Sequence, residues 1–118
     1  MTRSEACKVV ESLARLHENY PEVLVLEIGY KLDASTGADL SVARDVLVFA
    51  RERAREAVLK IKNLERQSEQ YRAKAERLGG GNHAERLMEL AADNDLGVQT
   101  IKAGLSARLI DRRYRTRE

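Results

Sequence analysis

Apolar residues recur at helical spacing along most of this chain, and the longest such row lies between residues 37 and 78. No Gly or Pro interrupts positions 38–78, and eleven of the twelve heptad a and d positions there carry an apolar side chain or Tyr. A coiled-coil-like helix is predicted once three to four such heptads follow one another, and this row has six. The predicted a positions are Leu40, Leu47, Ala54, Ile61, Ser68 and Ala75, and the d positions are Ala43, Ala50, Ala57, Leu64, Tyr71 and Leu78. We call these twelve residues the seam.

An N-terminal segment, residues 1–35, is predicted to pack on this long helix. Thr2 and Glu5 have the spacing of a helix N-cap, and apolar residues then recur at helical intervals as far as Tyr20. Pro21 ends this first predicted helix, because the residue before a proline avoids the helical conformation.

Residues 23–32 fit two structures. Apolar and polar residues alternate there as in a strand, yet Leu24, Ile28 and Leu32 would also lie above one another on a helix. The chain contains no second strand candidate, and a lone strand would leave its backbone amides and carbonyls unpaired. The sequence therefore favours a helix, although Gly29 would cost it about 1 kcal/mol relative to Ala. A single strand at 23–32 is the alternative.

Three glycines, Gly79 to Gly81, predict a turn that folds the chain back into a C-terminal helical segment, residues 82–118. Within that segment, Asp93, Asp95 and Gly97 indicate a break or a kink before a last amphipathic helix. The predicted fold is a single all-α domain, an elongated helical hairpin or bundle built around the long helix at about 37–78.

Charge is abundant and unevenly placed. Charged residues make up 34% of the chain, against about 25% in average proteins, and the formal net charge is +2. Residues 102–118 contain six basic and two acidic residues, so the positive excess lies at the C-terminal end. Phosphate contacts are predicted for the basic residues Arg108, Arg112, Arg113, Arg115 and Arg117. Favourable placement of cations at a helix C-terminus explains the same residues equally well.

The residues that carry chemistry are few. Cys7 is the one cysteine and cannot form an internal disulfide, and it lies ten residues from His17 on the same predicted helix, too far to share a metal ion. The sequence indicates no set of nucleophile, base and orienting residue of the kind that forms a catalytic site. We therefore expect no enzyme activity, no cofactor and no metal site, with Cys7 buried among apolar side chains and His17 at a helix end.

These patterns predict a non-enzymatic protein–protein interaction module, such as an adaptor, assembly or small regulatory subunit, acting through helical faces. The predicted contacts are self-association or a protein partner along the seam, through Leu40, Leu47, Ala50, Ala54, Ala57, Ile61, Leu64, Tyr71 and Leu78. The alternative is a nucleic-acid-binding regulator that the long helix dimerises. No apolar run approaches the roughly 18 residues of a membrane span. We expect a cytoplasmic or otherwise intracellular protein, including a virus-encoded one.

Overall fold

The computed structural model describes the backbone of residues 1–34 and 38–115 and the side chains of residues 1–34 and 43–113. This part of the chain is helical and contains no strand. The predicted all-α class is therefore confirmed, and the alternative strand at 23–32 is wrong, because those residues lie within the second helix. The helices are α1 (Arg3–Leu16), α2 (Pro21–Ala34), α3 (Ala38–Leu78), α4 (Asn82–Arg108) and the short α5 (Arg112–Arg115).

Local sequence signals set the ends of α1 and the start of α2. The Thr2 side chain accepts a hydrogen bond from the Glu5 amide at 3.1 Å, which is the predicted N-cap. His17 closes α1, and its backbone N–H donates to the Leu13 carbonyl. Pro21 then begins α2, where its fixed φ suits a first helical position and its missing N–H costs no helical bond.

The predicted long helix is confirmed as α3, and a glycine turn ends it. Gly79, Gly80 and Gly81 all have positive φ, of 73°, 131° and 94°, which side-chain-bearing residues rarely adopt. The Gly79 amide donates to the carbonyls of Ala75 and Glu76, so it closes the last helical turn. The sequence also predicts a chain break at residues 33–37. Asp33 and Ala34 belong to α2 instead, and residues 35–37 lie outside the described residues.

The residues group into two compact units, of which unit 1 comprises Met1–Val58 and Lys102–Glu118. An ion pair between Arg3 and Asp45, at 3.5 Å, joins α1 to α3 in this unit. Its apolar core takes side chains from α1, α2, α3 and α4 and from the residues just before α5. The buried apolar residues are Ala6, Cys7, Val10, Ala14, Leu24, Ile28, Leu32, Ala43, Val46, Leu47, Ala50, Ala54, Ala57, Leu105, Leu109 and Ile110.

Unit 2 comprises Leu59–Ile101 and is an antiparallel helical hairpin. The Ser68 hydroxyl donates to the Ala91 carbonyl at 3.2 Å, and Gln67 accepts a hydrogen bond from Asn94. Nearer the glycine turn, Ala75 packs with Ala84 and Leu87, and Tyr71 covers this cluster. Ser68 thus contacts Ala91, whereas Ala75, later on α3, contacts Ala84, earlier on α4. The two helices therefore run antiparallel.

The C-terminal segment has no break at the predicted position, because α4 continues through Asp93, Asp95 and Gly97. Contacts within the hairpin explain these residues. Asp95 forms an ion pair with Arg72 on α3, and a Cβ on Gly97 would lie 3.5 Å from the Leu64 side chain. Tertiary contacts thus hold a helix through a sequence that is locally typical of a turn.

Ser68 gives a testable prediction about unit 2. It is the polar exception in the seam, yet it is buried, and it faces the equally buried Ala91. We expect Ser68→Leu to lower the free energy of unfolding by about 1–3 kcal/mol, because a larger side chain separates the two helices. The control Ser68→Ala removes only one hydrogen bond and should cost about 1 kcal/mol or less. Urea unfolding of both variants checks this, and equal losses would contradict close packing at this position.

Candidate interaction surface on α2

Two faces of α2 are apolar, and only one of them packs inside unit 1. Leu24, Ile28 and Leu32 form the inward face and are buried. Val23, Leu26 and Tyr30 recur at intervals of three and four residues, so they share another side of the same helix. We call these three residues the outward face of α2.

The outward face is open to solvent within this chain. Leu26 is 56% exposed and Tyr30 is 61% exposed, and Tyr20, just before the helix, is 65% exposed. A helix that is apolar on all sides is usually buried on all sides. Single exposed apolar residues are common on protein surfaces, but a contiguous group on one helix is typical of a binding surface.

Gly29 lies next to Leu26 on α2, and no contact within the described residues requires a glycine at this position. It lies in the interior of α2, where glycine costs a helix about 1 kcal/mol relative to Ala. Within the described residues, no neighbouring atom lies within 4 Å of the place where a Cβ would sit. The missing side chain therefore serves no contact inside the described part of the molecule.

The chain's own helices cover most of the seam. Leu47, Ala50, Ala54, Ala57 and Ile61 are buried. Leu64 and Tyr71 are partly covered in the hairpin, whereas Leu78 is 47% exposed and the Leu40 side chain lies outside the described residues. Contact between molecules through these residues stays a prediction. Because intramolecular packing already uses most of them, the outward face of α2 is the better candidate surface.

The predicted basic cluster is only partly described. Arg108 ends α4, and Arg112 and Arg113 are exposed on α5, whereas the Arg115 side chain and the whole of Arg117 lie outside the described residues. Arg113 binds its neighbour Asp111: Nε and Nη2 donate to Oδ2 at 3.1 and 2.9 Å, and the amide donates to Oδ1 at 3.0 Å. These side-chain and backbone hydrogen bonds lower the pKa of Asp111. A carboxylate therefore already pairs with one arginine of the predicted phosphate-binding set.

A shallow groove runs beside the glycine turn of unit 2. Small side chains, Met88 and charged side chains of both signs line it. Its lining residues are Arg72, Ala75, Glu76, Gly80, Ala84, Glu85, Met88, Glu89 and Ala92. Arg72 already pairs with Asp95, and Arg86 pairs with Glu89, so the groove presents a mixed-charge surface.

The structure brings no metal-binding cluster together in the part of the chain that it describes. Among these residues, no group of three or more His, Cys, Asp or Glu side chains has a metal-binding arrangement. Cys7 is a free, buried thiol on α1, and His17 caps the far end of the same helix. Both residues therefore lie where the sequence predicts them.

No protein-family model, curated protein or solved structure matches this chain. In the described residues, no helix has both the length and the apolar character needed to cross a bilayer.

Proposed function

We propose that this chain is a non-enzymatic protein–protein interaction module whose binding surface is the outward face of α2. The observation that carries this proposal is that α2 has a second apolar face, which its own unit leaves exposed. Such a helix face binds a protein helix through anchors spaced three and four residues apart. Val23, Leu26 and Tyr30 have this spacing.

The chemistry of the face suits protein binding. Tyrosine is enriched at interfaces because its ring is apolar and its hydroxyl retains a polar contact at the edge. Tyr20 and Tyr30 lie at the two ends of the exposed group, and Leu26 lies between them in sequence. Tyrosine is also one of the residue types that most often dominate binding energy at interfaces.

Leu26→Glu tests the proposal, with Leu96→Glu as the matched control. Leu96 is also an exposed helical leucine, 67% exposed, but it lies on α4 in the other unit. We expect Leu26→Glu to weaken association at least tenfold, because a charge would have to be desolvated at the interface. Leu96→Glu should associate like the unaltered chain.

Two measurements provide the readout. Light scattering gives the mass of the purified chain, and a tagged chain incubated with an extract of its source cells reports bound proteins. The proposal is supported when the unaltered chain and Leu96→Glu associate, in either measurement, and Leu26→Glu does not. It is contradicted when Leu26→Glu matches the control, or when the unaltered chain binds nothing in both measurements.

A further inference from the structure

We infer that the partner of the outward face of α2 is a protein helix whose own apolar stripe is flanked by lysine or arginine residues. This inference rests on the proposed function and names the chemistry of its partner. It is carried by three carboxylates of α2 that surround the outward face and have no partner of their own.

Carboxylates lie at both ends and along one edge of the outward face. An α-helix turns through about 100° per residue, so Glu22 and Asp33 both lie within about 40° of Leu26 around the axis of α2. Glu22 comes one turn before Leu26, and Asp33 comes two turns after it. Glu27 lies about 100° from Leu26, at the edge of the face. The apolar group is therefore bordered by negative charge in three directions.

No cation of the described residues neutralises these carboxylates. None of the three forms an ion pair in the described part of the chain. Lys31 is the one cation of α2, and it lies about 140° from Leu26, on another side of the helix. As a result, α2 has a formal net charge of −2, from three carboxylates and one lysine, in a chain whose formal net charge is +2.

Asp33 is placed against the preference of its own helix. It is exposed in the last turn of α2, where the helix dipole disfavours a negative charge. The dipole explains Glu22, which lies in the first turn, but it does not explain Asp33. A cation supplied by a partner would offset the unfavourable position, so a residue that destabilises the free helix gains a role in a complex.

These charges select a class of partner. Nucleic acids and anionic membrane surfaces are negatively charged, so the carboxylates around the face repel them. A basic amphipathic helix is attracted, because its apolar residues contact Leu26 and Tyr30 while its cations meet the carboxylates. Asp33 follows Glu22 by eleven residues, which is about 16 Å along the axis. The partner helix should therefore carry cations about three turns apart, with apolar anchors between them.

Two designed helical peptides test this inference. The basic peptide has two central leucines three residues apart and a lysine one helical turn beyond each leucine, and the acidic peptide has glutamate in place of each lysine. Fluorescence anisotropy at low salt measures the dissociation constant of each labelled peptide. We expect the basic peptide to bind at least tenfold more tightly, and high salt to reduce the difference. Equal affinities, or no binding of either peptide up to about 1 mM, would overturn the inference.

Charge reversal on the protein provides the matched test. Glu22→Lys/Asp33→Lys should reverse the preference, so that the acidic peptide binds more tightly. The control Glu65→Lys/Glu69→Lys makes the same change in net charge at exposed positions of unit 2 and should keep the preference for the basic peptide. Circular dichroism confirms that each variant is folded. Similar behaviour of the two double variants would mean that net charge alone decides binding, which would overturn the inference.

The outcomes separate this inference from the proposed function. If the chain binds a protein in a manner that Leu26→Glu abolishes but Glu22→Lys/Asp33→Lys leaves unchanged, the proposed function stands and the inference is overturned. The neutral substitution Leu26→Gln should weaken binding of the basic peptide severalfold, because it removes an apolar anchor. Binding of that peptide that Leu26→Gln leaves unchanged would contradict both, since the contact would not use the outward face.

Discussion

Ile28→Asp unfolds unit 1, whereas Leu26→Asp, two residues earlier on the same helix, leaves it folded. Ile28 is fully buried on the inward face of α2, and an aspartate there would be an unpaired charge in an apolar core. We expect it to lower the free energy of unfolding by more than about 4 kcal/mol. Leu26 is 56% exposed, so its replacement should cost less than about 1 kcal/mol.

The contrast is measured by urea unfolding followed by circular dichroism at low protein concentration, where self-association adds no stability. The two substitutions are chemically similar and lie on one helix, so helix propensity affects both to a similar extent. Comparable losses at the two positions would mean that both faces of α2 are buried in the free chain. That result would remove the basis of the proposed surface.

The second large effect is expected at Leu47, which is fully buried on α3 in unit 1. Leu47→Ala should lower the free energy of unfolding by about 2–5 kcal/mol, because it removes buried methyl groups and leaves a cavity. The buried residues nearby on the same side of α3 are Ala43, Ala50 and Ala54. Their methyl groups are too small to fill the cavity that Leu47→Ala leaves.

Leu59 provides the matched control for this cavity. It lies on the same helix but is 63% exposed, so Leu59→Ala should cost less than about 0.5 kcal/mol. Thermal melting and urea titration of the two variants measure the difference. A small effect at Leu47 would indicate that the core around α3 is loosely packed.

The long helix and the glycine turn were predictable because their signals are local. A heptad row without Gly or Pro predicts α3. Three consecutive glycines predict the turn, because glycine readily adopts the positive φ that all three have. Even Ser68, the exception in the row, lies on the predicted side of the helix. Its buried hydrogen bond to Ala91 depends on the hairpin and has no local signal.

The continuity of α4 was not predictable from local signals. Asp95 and Gly97 favour a break when only their sequence neighbours are considered. In the folded hairpin, Asp95 pairs with Arg72, and Gly97 lies against Leu64, more than 20 residues away in sequence. Long-range contacts of this kind override propensity, and spacing alone does not reveal them.

The ambiguity of residues 23–32 and the candidate surface have the same origin. Apolar residues on two sides of α2 produce the alternation that is typical of a strand. Once the segment is known to be helical, the burial of Leu24, Ile28 and Leu32 leaves Val23, Leu26 and Tyr30 on another side. The residues of the surface were therefore visible in the sequence. Recognising them as a surface required knowing that the segment is a helix and which of its sides faces the core.

The most direct test is whether the outward face of α2 becomes covered in solution. Side-chain NMR with a water-soluble paramagnetic probe measures the exposure of Leu26 and Tyr30 at low and at high protein concentration, with Leu59 and Leu96 as exposed references. In the dilute, unassociated protein the two α2 side chains should be as exposed as the references, and where the chain associates they should be shielded while the references stay exposed. Shielding of both α2 side chains in the unassociated chain, or association that leaves them as exposed as the references, would contradict a binding surface on the outward face of α2.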